Sequence, residues 1–215
     1  MTPHRGNGTG SPQIIAVASQ KGGGGKTTLA AAIGVCAAAK GFRVILLDLD
    51  PQQSLSDWWN DREGDAPDLI TAEPEEITAG QLRRLSADLV IIDTPPAHDS
   101  EARVVAALSA ADLAMIPVRP SRLDLKAVAR TAGLAKAAGV PARYVISQAV
   151  ARSSLVSQAV TVLSKHGPIA GIVHGRALYA SAMTDGRTAQ EIDPRGKAAL
   201  EIIALWENIA EALNG

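Results

Sequence analysis

The run Gln20-Lys21-Gly22-Gly23-Gly24-Gly25-Lys26-Thr27-Thr28 constrains this chain more than any other stretch. Before it stands Ile14-Ile15-Ala16-Val17-Ala18, an apolar run of strand length, and after it the alanine-rich stretch Leu29 to Lys40, helical in character. Strand, glycine loop and helix in that order form the setting in which a P-loop cradles a nucleotide's phosphates. Residues without a β-carbon let successive N–H groups point into one concavity, and the following helix adds the positive end of its dipole. Gly22, Gly23, Gly24, Gly25 and Thr28 are the candidate cradle. Lys26 is expected to reach the β- and γ-phosphates, and the Thr27 hydroxyl to meet Mg²⁺.

The usual spacing, G-x-x-x-x-G-K-[ST], is broken at its first position, where Gln20 stands, and a second lysine, Lys21, follows at once. A loop reading K-G-G-x-G-K-[ST]-T resembles the deviant Walker A motif of the ParA/MinD ATPases. The resemblance implies Mg-ATP as ligand and a slow intrinsic ATPase. It also implies an ATP-dependent homodimer in which Lys21 crosses the interface to the nucleotide of the other subunit.

Two further motifs follow in the expected order. The apolar stretch Arg43-Val44-Ile45-Leu46-Leu47 delivers Asp48-Leu49-Asp50-Pro51-Gln52, and alternation puts Asp48 and Asp50 on one side of an extended chain. In its likeness to the family's second nucleotide motif, this segment implies that Asp50 orients the attacking water and that Asp48 supports the magnesium water shell. Leu89-Val90-Ile91-Ile92 ends in Asp93-Thr94-Pro95-Pro96, an acid closing an apolar strand, which is the Walker B arrangement. Asp93 is expected to hold Mg²⁺ through water. His98 and Asp99 follow on a candidate nucleotide-sensing loop, although a neighbouring His–Asp pair is also an ordinary solvated feature.

Between and beyond these motifs the chain alternates strands and helices. Ser54 stands near the cap of a short helix carrying Trp58 and Trp59, read as packing residues rather than a platform for bases. A turn at Asp65 to Asp68, a short strand Leu69–Ala72 and an exposed helix Glu75–Ser86 are expected next. Strands are expected at Leu113–Val118, Arg143–Gln148 and Ile169–Val173, and helices from Leu123 to Ala138 and Ser153 to His166. The segments I-P-V-x-P-S, R-x-x-Y-x-x-A-x-x-x-G from Arg176 to Gly186, and Glu191 to Trp206 also resemble ParA-type sequences. The resemblance covers Ile14 to Leu213 and implies that Gln148 reads the adenine edge. It further implies that Arg176, Arg187, Arg195 and Lys197 form a patch for non-specific DNA in the ATP state. The expected architecture is α/β, a doubly wound, mostly parallel sheet flanked by helices in one domain over 13–215, with a flexible tail over 1–12.

Composition limits the alternatives. The 215 residues suit one α/β domain, and 47% hydrophobic with 3% aromatic content implies a core of Ala, Val, Ile and Leu. Twenty-one basic and 22 acidic residues leave a net charge of −1, so DNA contact would have to come from a local patch. The one cysteine, Cys36, cannot supply the pair of thiolates that an iron–sulfur carrier with this loop needs. A MinD-like membrane switch would end in a basic amphipathic helix, whereas Leu200 to Gly215 carries Glu201, Glu207 and Glu211 and no basic residue. A metabolic P-loop enzyme would have no use for Lys21. No signal peptide or membrane span is expected, nor a helix-turn-helix before Ile14, so a cytoplasmic, nucleoid-associated protein is expected rather than a sequence-specific repressor. Its partners would be DNA, a cargo (plasmid, chromosome or protein assembly) and a ParB-like or ParG-like adaptor.

Overall fold

The structure, a computed structural model, describes residues 10–73 and 76–215. The tail expected over 1–12 therefore lies, up to residue 9, outside the described residues. The strands are β1 (Gln13–Val17), β2 (Val44–Asp48), β3 (Asp68–Thr71), β4 (Leu89–Asp93), β5 (Leu113–Val118), β6 (Ala142–Ala149) and β7 (Ile169–His174). They form a parallel sheet in the order β3-β2-β4-β1-β5-β6-β7. The helices are α1 (Lys26–Ala39), α2 (Ser54–Asn60), α3 (Ala79–Leu82), α4 (Glu101–Ala110), α5 (Arg122–Ala137), α6 (Ser154–Leu163), α7 (Ala177–Met183), α8 (Ala189–Ile192) and α9 (Lys197–Asn214).

Alternation along each strand builds two apolar layers. On β1, Ile15 and Val17 face α1, α2, α7, α8 and α9, while Ile14 and Ala16 face α3 to α6. Covered on both faces, the central strands are continuous apolar runs, as a buried parallel sheet requires. The sheet brings the carboxyl ends of β1, β2 and β4 side by side, with Asp48 opposite Asp93 in register. That edge is where open α/β sheets bind ligands.

The expected strands are present within about two residues at either end. One helical expectation needs correction. The helix expected over Glu75–Ser86 is reduced to α3, because Thr78 caps it by accepting Gln81 N–H at 3.2 Å and the chain turns at Arg83; Glu75 itself lies outside the described residues. Helix α4 is not among the expected elements, although Val104, Ala107 and Leu108 carry the spacing of a buried helix face. Among the described residues, no helix is long and apolar enough to cross a membrane.

Candidate nucleotide site

The glycine loop joins β1 to α1, and its backbone is shaped for a phosphate. Gly23 and Gly25 take φ of +71° and +85°, a region that side chains with a β-carbon rarely adopt. Gly25 caps α1 with no side-chain hydrogen bond, so the first N–H groups of the helix keep their donors for an anion. Lys26, at the first helical position, is 6% exposed. Burial lowers its pKa, against the opposing charges of Asp93, Asp50 and Asp99.

Asp93 stands at the foot of this loop and is fully buried. The Thr27 hydroxyl donates to its Oδ2 at 2.6 Å, while its Oδ1 is buried without a partner. Burial pushes the carboxyl pKa up to about 7, with the Thr27 hydrogen bond and Lys26 working against that rise. A buried carboxylate oxygen without a donor is costly. A water of a bound cation's shell would supply the missing donor, so the residues present fit Mg²⁺.

Asp48 and Asp50 divide their work. The buried Asp48 accepts Asp50 N–H at 3.0 Å on one oxygen, and Ser56 N–H and the Ser56 hydroxyl at 2.9 and 2.8 Å on the other. Its carboxylate is thus occupied in fixing the Asp50 loop and the start of α2. Asp50 itself lines an open cleft of about 730 Å³ together with Lys26, Thr27, His98 and Asp99. His98 joins that wall by placing its backbone N–H and ring Nδ1 at 3.3 and 2.8 Å from the Gln20 carbonyl.

A second cavity, of about 420 Å³, opens beside the cleft between the ends of β6 and β7, α7 and the first turn of α1. The two share Gly25, Thr28, Gln148 and Ala180 in their walls. Gln148, expected to read the adenine edge, lines both cavities; at φ +52° its side-chain amide donates to the Gly23 carbonyl at 2.7 Å. Its neighbour Ser147 lines the second cavity, 2% exposed, with its hydroxyl unpartnered.

The remaining expected residues lie apart from the phosphate loop's interior. Lys21 reaches Asp124 Oδ1 at 3.6 Å with its side chain 42% exposed. Burial acts to raise the Asp124 pKa, but Ser121, Arg119 and Lys21 together hold it below the usual value. Of the four basic residues expected to contact DNA, Arg176 pairs with Glu201 at the rim of the second cavity and Arg187 pairs with Asp185. Arg195 and Lys197 are exposed at the entry to α9. Trp58 is buried, as a packing residue should be.

Comparison with known proteins agrees with this geometry. The profile of the CobQ/CobB/MinD/ParA nucleotide binding domain matches residues 15–206. The maintenance of carboxysome distribution protein A of Halothiobacillus neapolitanus is 32% identical over 88% of this chain and 92% of its own. Its counterpart from Gloeobacter kilaueensis is 34% identical over 94% of each. The fold matches the cell division ATPase MinD of Pyrococcus furiosus with a TM-score of 0.79 at 19% identity, covering 93% of this chain and 98% of that one. The loop, the acids ordered around it and these likenesses have one meaning: this chain belongs to the CobQ/CobB/MinD/ParA nucleotide-binding family.

Proposed function

We propose that the protein is an Mg-dependent ATPase that dimerises with ATP, binds DNA non-specifically in that state, and uses the cycle to position a cargo. The observation that carries this reading is Asp93, buried beneath the phosphate loop with Thr27 on one oxygen and nothing on the other. The loop N–H groups and Lys26 hold the phosphates. Thr27 and Asp93 would hold Mg²⁺, which when bound neutralises phosphate charge. Asp50 orients the attacking water, and Asp48 positions Asp50 by accepting its N–H. Such transfer depends on positioning and charge neutralisation rather than on covalent help, so turnover without a stimulating partner is slow. The base lodges in the second cavity, whose volume lies in the range of about 300–1,000 Å³ usual for small-ligand sites.

Exposed Arg195 and Lys197 at the entry to α9 support a phosphate-backbone contact, and a dimer doubles their number. DNA affinity should then fall steeply with salt and be greatest with ATP. A ParB-like or ParG-like adaptor would link the ATPase to its cargo. The relatives matched over about nine-tenths of the chain are named for carboxysome distribution, which favours a protein assembly as cargo.

Asp50→Ala tests the chemistry. Nucleotide should bind as before, measured by calorimetry with Mg-ADP, while phosphate release falls about 100-fold. Undiminished turnover in that variant removes Asp50 from the mechanism, and wild-type protein that binds no nucleotide overturns the reading as a whole.

A further inference from the structure

We propose that Glu201, on the last helix, is the positioning residue of the nucleobase subsite and sets its base preference. The proposal rests on reading the second cavity as the place of the base. Three residues that line this cavity, His174, Arg176 and Tyr179, converge on the single Glu201 carboxylate. Oε2 accepts His174 backbone N–H at 3.1 Å and Arg176 Nε at 3.4 Å, and lies 3.3 Å from the Tyr179 hydroxyl. Oε1 lies 2.8 Å from the His174 ring Nδ1 and pairs with Arg176 Nη2. Tyr179 is fixed a second time by donating to the Ala198 carbonyl at 3.0 Å, again on α9.

Packing does not ask for this arrangement. Helix α9 already buries Ala198, Ile202, Leu205 and Ile209 in the apolar layer beneath the sheet. What the carboxylate adds is local. β7 is one of the two edge strands of the sheet, and the turn from His174 through Arg176 into α7 lines the cavity there. Charge-assisted bonds to the backbone and to two side chains of that turn give the wall one position. Beside that turn, on the adjoining strand β6, the cavity is lined by Ser147, whose buried, unpartnered hydroxyl can donate to or accept from a base edge. A site with one fixed polar group discriminates between bases only if the rest of its wall holds the ring in register, so the wall's anchor governs selectivity. Arg176, expected on sequence grounds to contact DNA, thereby belongs to the nucleotide site.

The test separates base from phosphates. Binding of Mg-ADP, Mg-GDP and inorganic tripolyphosphate is measured by calorimetry on the full chain, for wild type, Glu201→Gln and Arg176→Lys. Glutamine keeps the size and one acceptor oxygen, and lysine keeps the charge but loses the two-pronged guanidinium contact. The proposal requires wild type to bind ADP tighter than GDP. It requires both variants to lose about tenfold in ADP affinity and most of the ADP-over-GDP preference, with tripolyphosphate binding unchanged. An equal loss for ADP and tripolyphosphate makes Glu201 a general structural residue and overturns the proposal, as does an unchanged preference. Should Glu201→Gln not fold by circular dichroism, Arg176→Lys decides on the same readouts. A wild-type protein that binds ADP and tripolyphosphate equally removes the base subsite itself, and the proposal with it, while leaving the phosphate chemistry intact.

Discussion

Asp93 is held in the folded chain against its own preference. Its side chain is wholly buried, and its pKa stands near 7 where a carboxyl in the unfolded chain titrates near 3.8. The folded state therefore binds this proton more tightly than the unfolded state. The resulting stability is fully present below about pH 4 and is lost as pH rises to about 7, after which the loss levels off. Asparagine keeps the shape without the titration. In chelator and without nucleotide, Asp93→Asn should gain on wild type by about 2 kcal/mol between pH 5 and pH 8, read from urea unfolding. A difference that stays constant with pH would show that Asp93 is not the source. At the same time the variant should lose the stabilisation that Mg-ADP gives wild type, because its amide replaces the oxygen that a metal-bound water needs.

At the scale of elements, α2 is where the phosphate site meets the carboxyl-terminal third of the chain. Trp58 Nε1 donates to the Arg187 carbonyl at 2.9 Å, and Arg62, stacked 5.3 Å from the Trp58 ring centroid, pairs with Glu191 at 2.7 Å. Close approach is possible because Gly186, at φ +68°, has no β-carbon: one added there would lie 2.4 Å from Arg62 N. Gly186→Ala should therefore cost about 3 kcal/mol, or roughly 6–12 °C in Tm. Gly139→Ala, at φ +73° with open space around it, should cost only about 1 kcal/mol. Equal losses in the two variants would mean that backbone strain, not contact, governs position 186. Sequence carries the frame of this fold plainly, because Ile14–Val17, Leu89–Ile92 and Leu113–Val118 are apolar runs that a doubly covered sheet demands. The acids Asp48 and Asp93 are legible because each closes such a run, and Asp50 because it follows Asp48 by two residues. Partners are not legible: Arg176 looks like a solvated cation until Glu201, 25 residues away in sequence, is folded against it. The same holds for Gln148, whose turn toward Gly23 depends on a left-handed backbone that no neighbouring glycine announces.

For the whole molecule the question is whether Lys21 is free to serve a second copy, as the proposed dimer requires. Its ammonium stands 3.6 Å from Asp124, a loose pair on a side chain that is 42% exposed. Asp124 is already bonded by Ser121 Oγ at 2.6 Å and Arg119 Nε at 3.0 Å. Withdrawing Lys21 would leave no carboxylate without a donor, so its release should cost no more than an exposed ion pair, about 0–1 kcal/mol. Lys26 alone can serve the phosphates of its own subunit, and a long stem ending in a compact charge suits a reach across an interface. If Lys21 meets the γ-phosphate of a partner's ATP, hydrolysis removes that target and the pair of subunits loosens, which makes the lysine part of a switch. Lys21→Ala should therefore leave the ATP affinity of the monomer nearly unchanged and abolish dimerisation with a non-hydrolysable analogue, followed by light scattering. DNA binding by the variant should then fall to the level of the nucleotide-free protein at every salt concentration, since the doubled contact is lost with the dimer. A variant that still dimerises with the analogue sinks the assignment, and one that loses monomer affinity instead places Lys21 on the nucleotide of its own subunit.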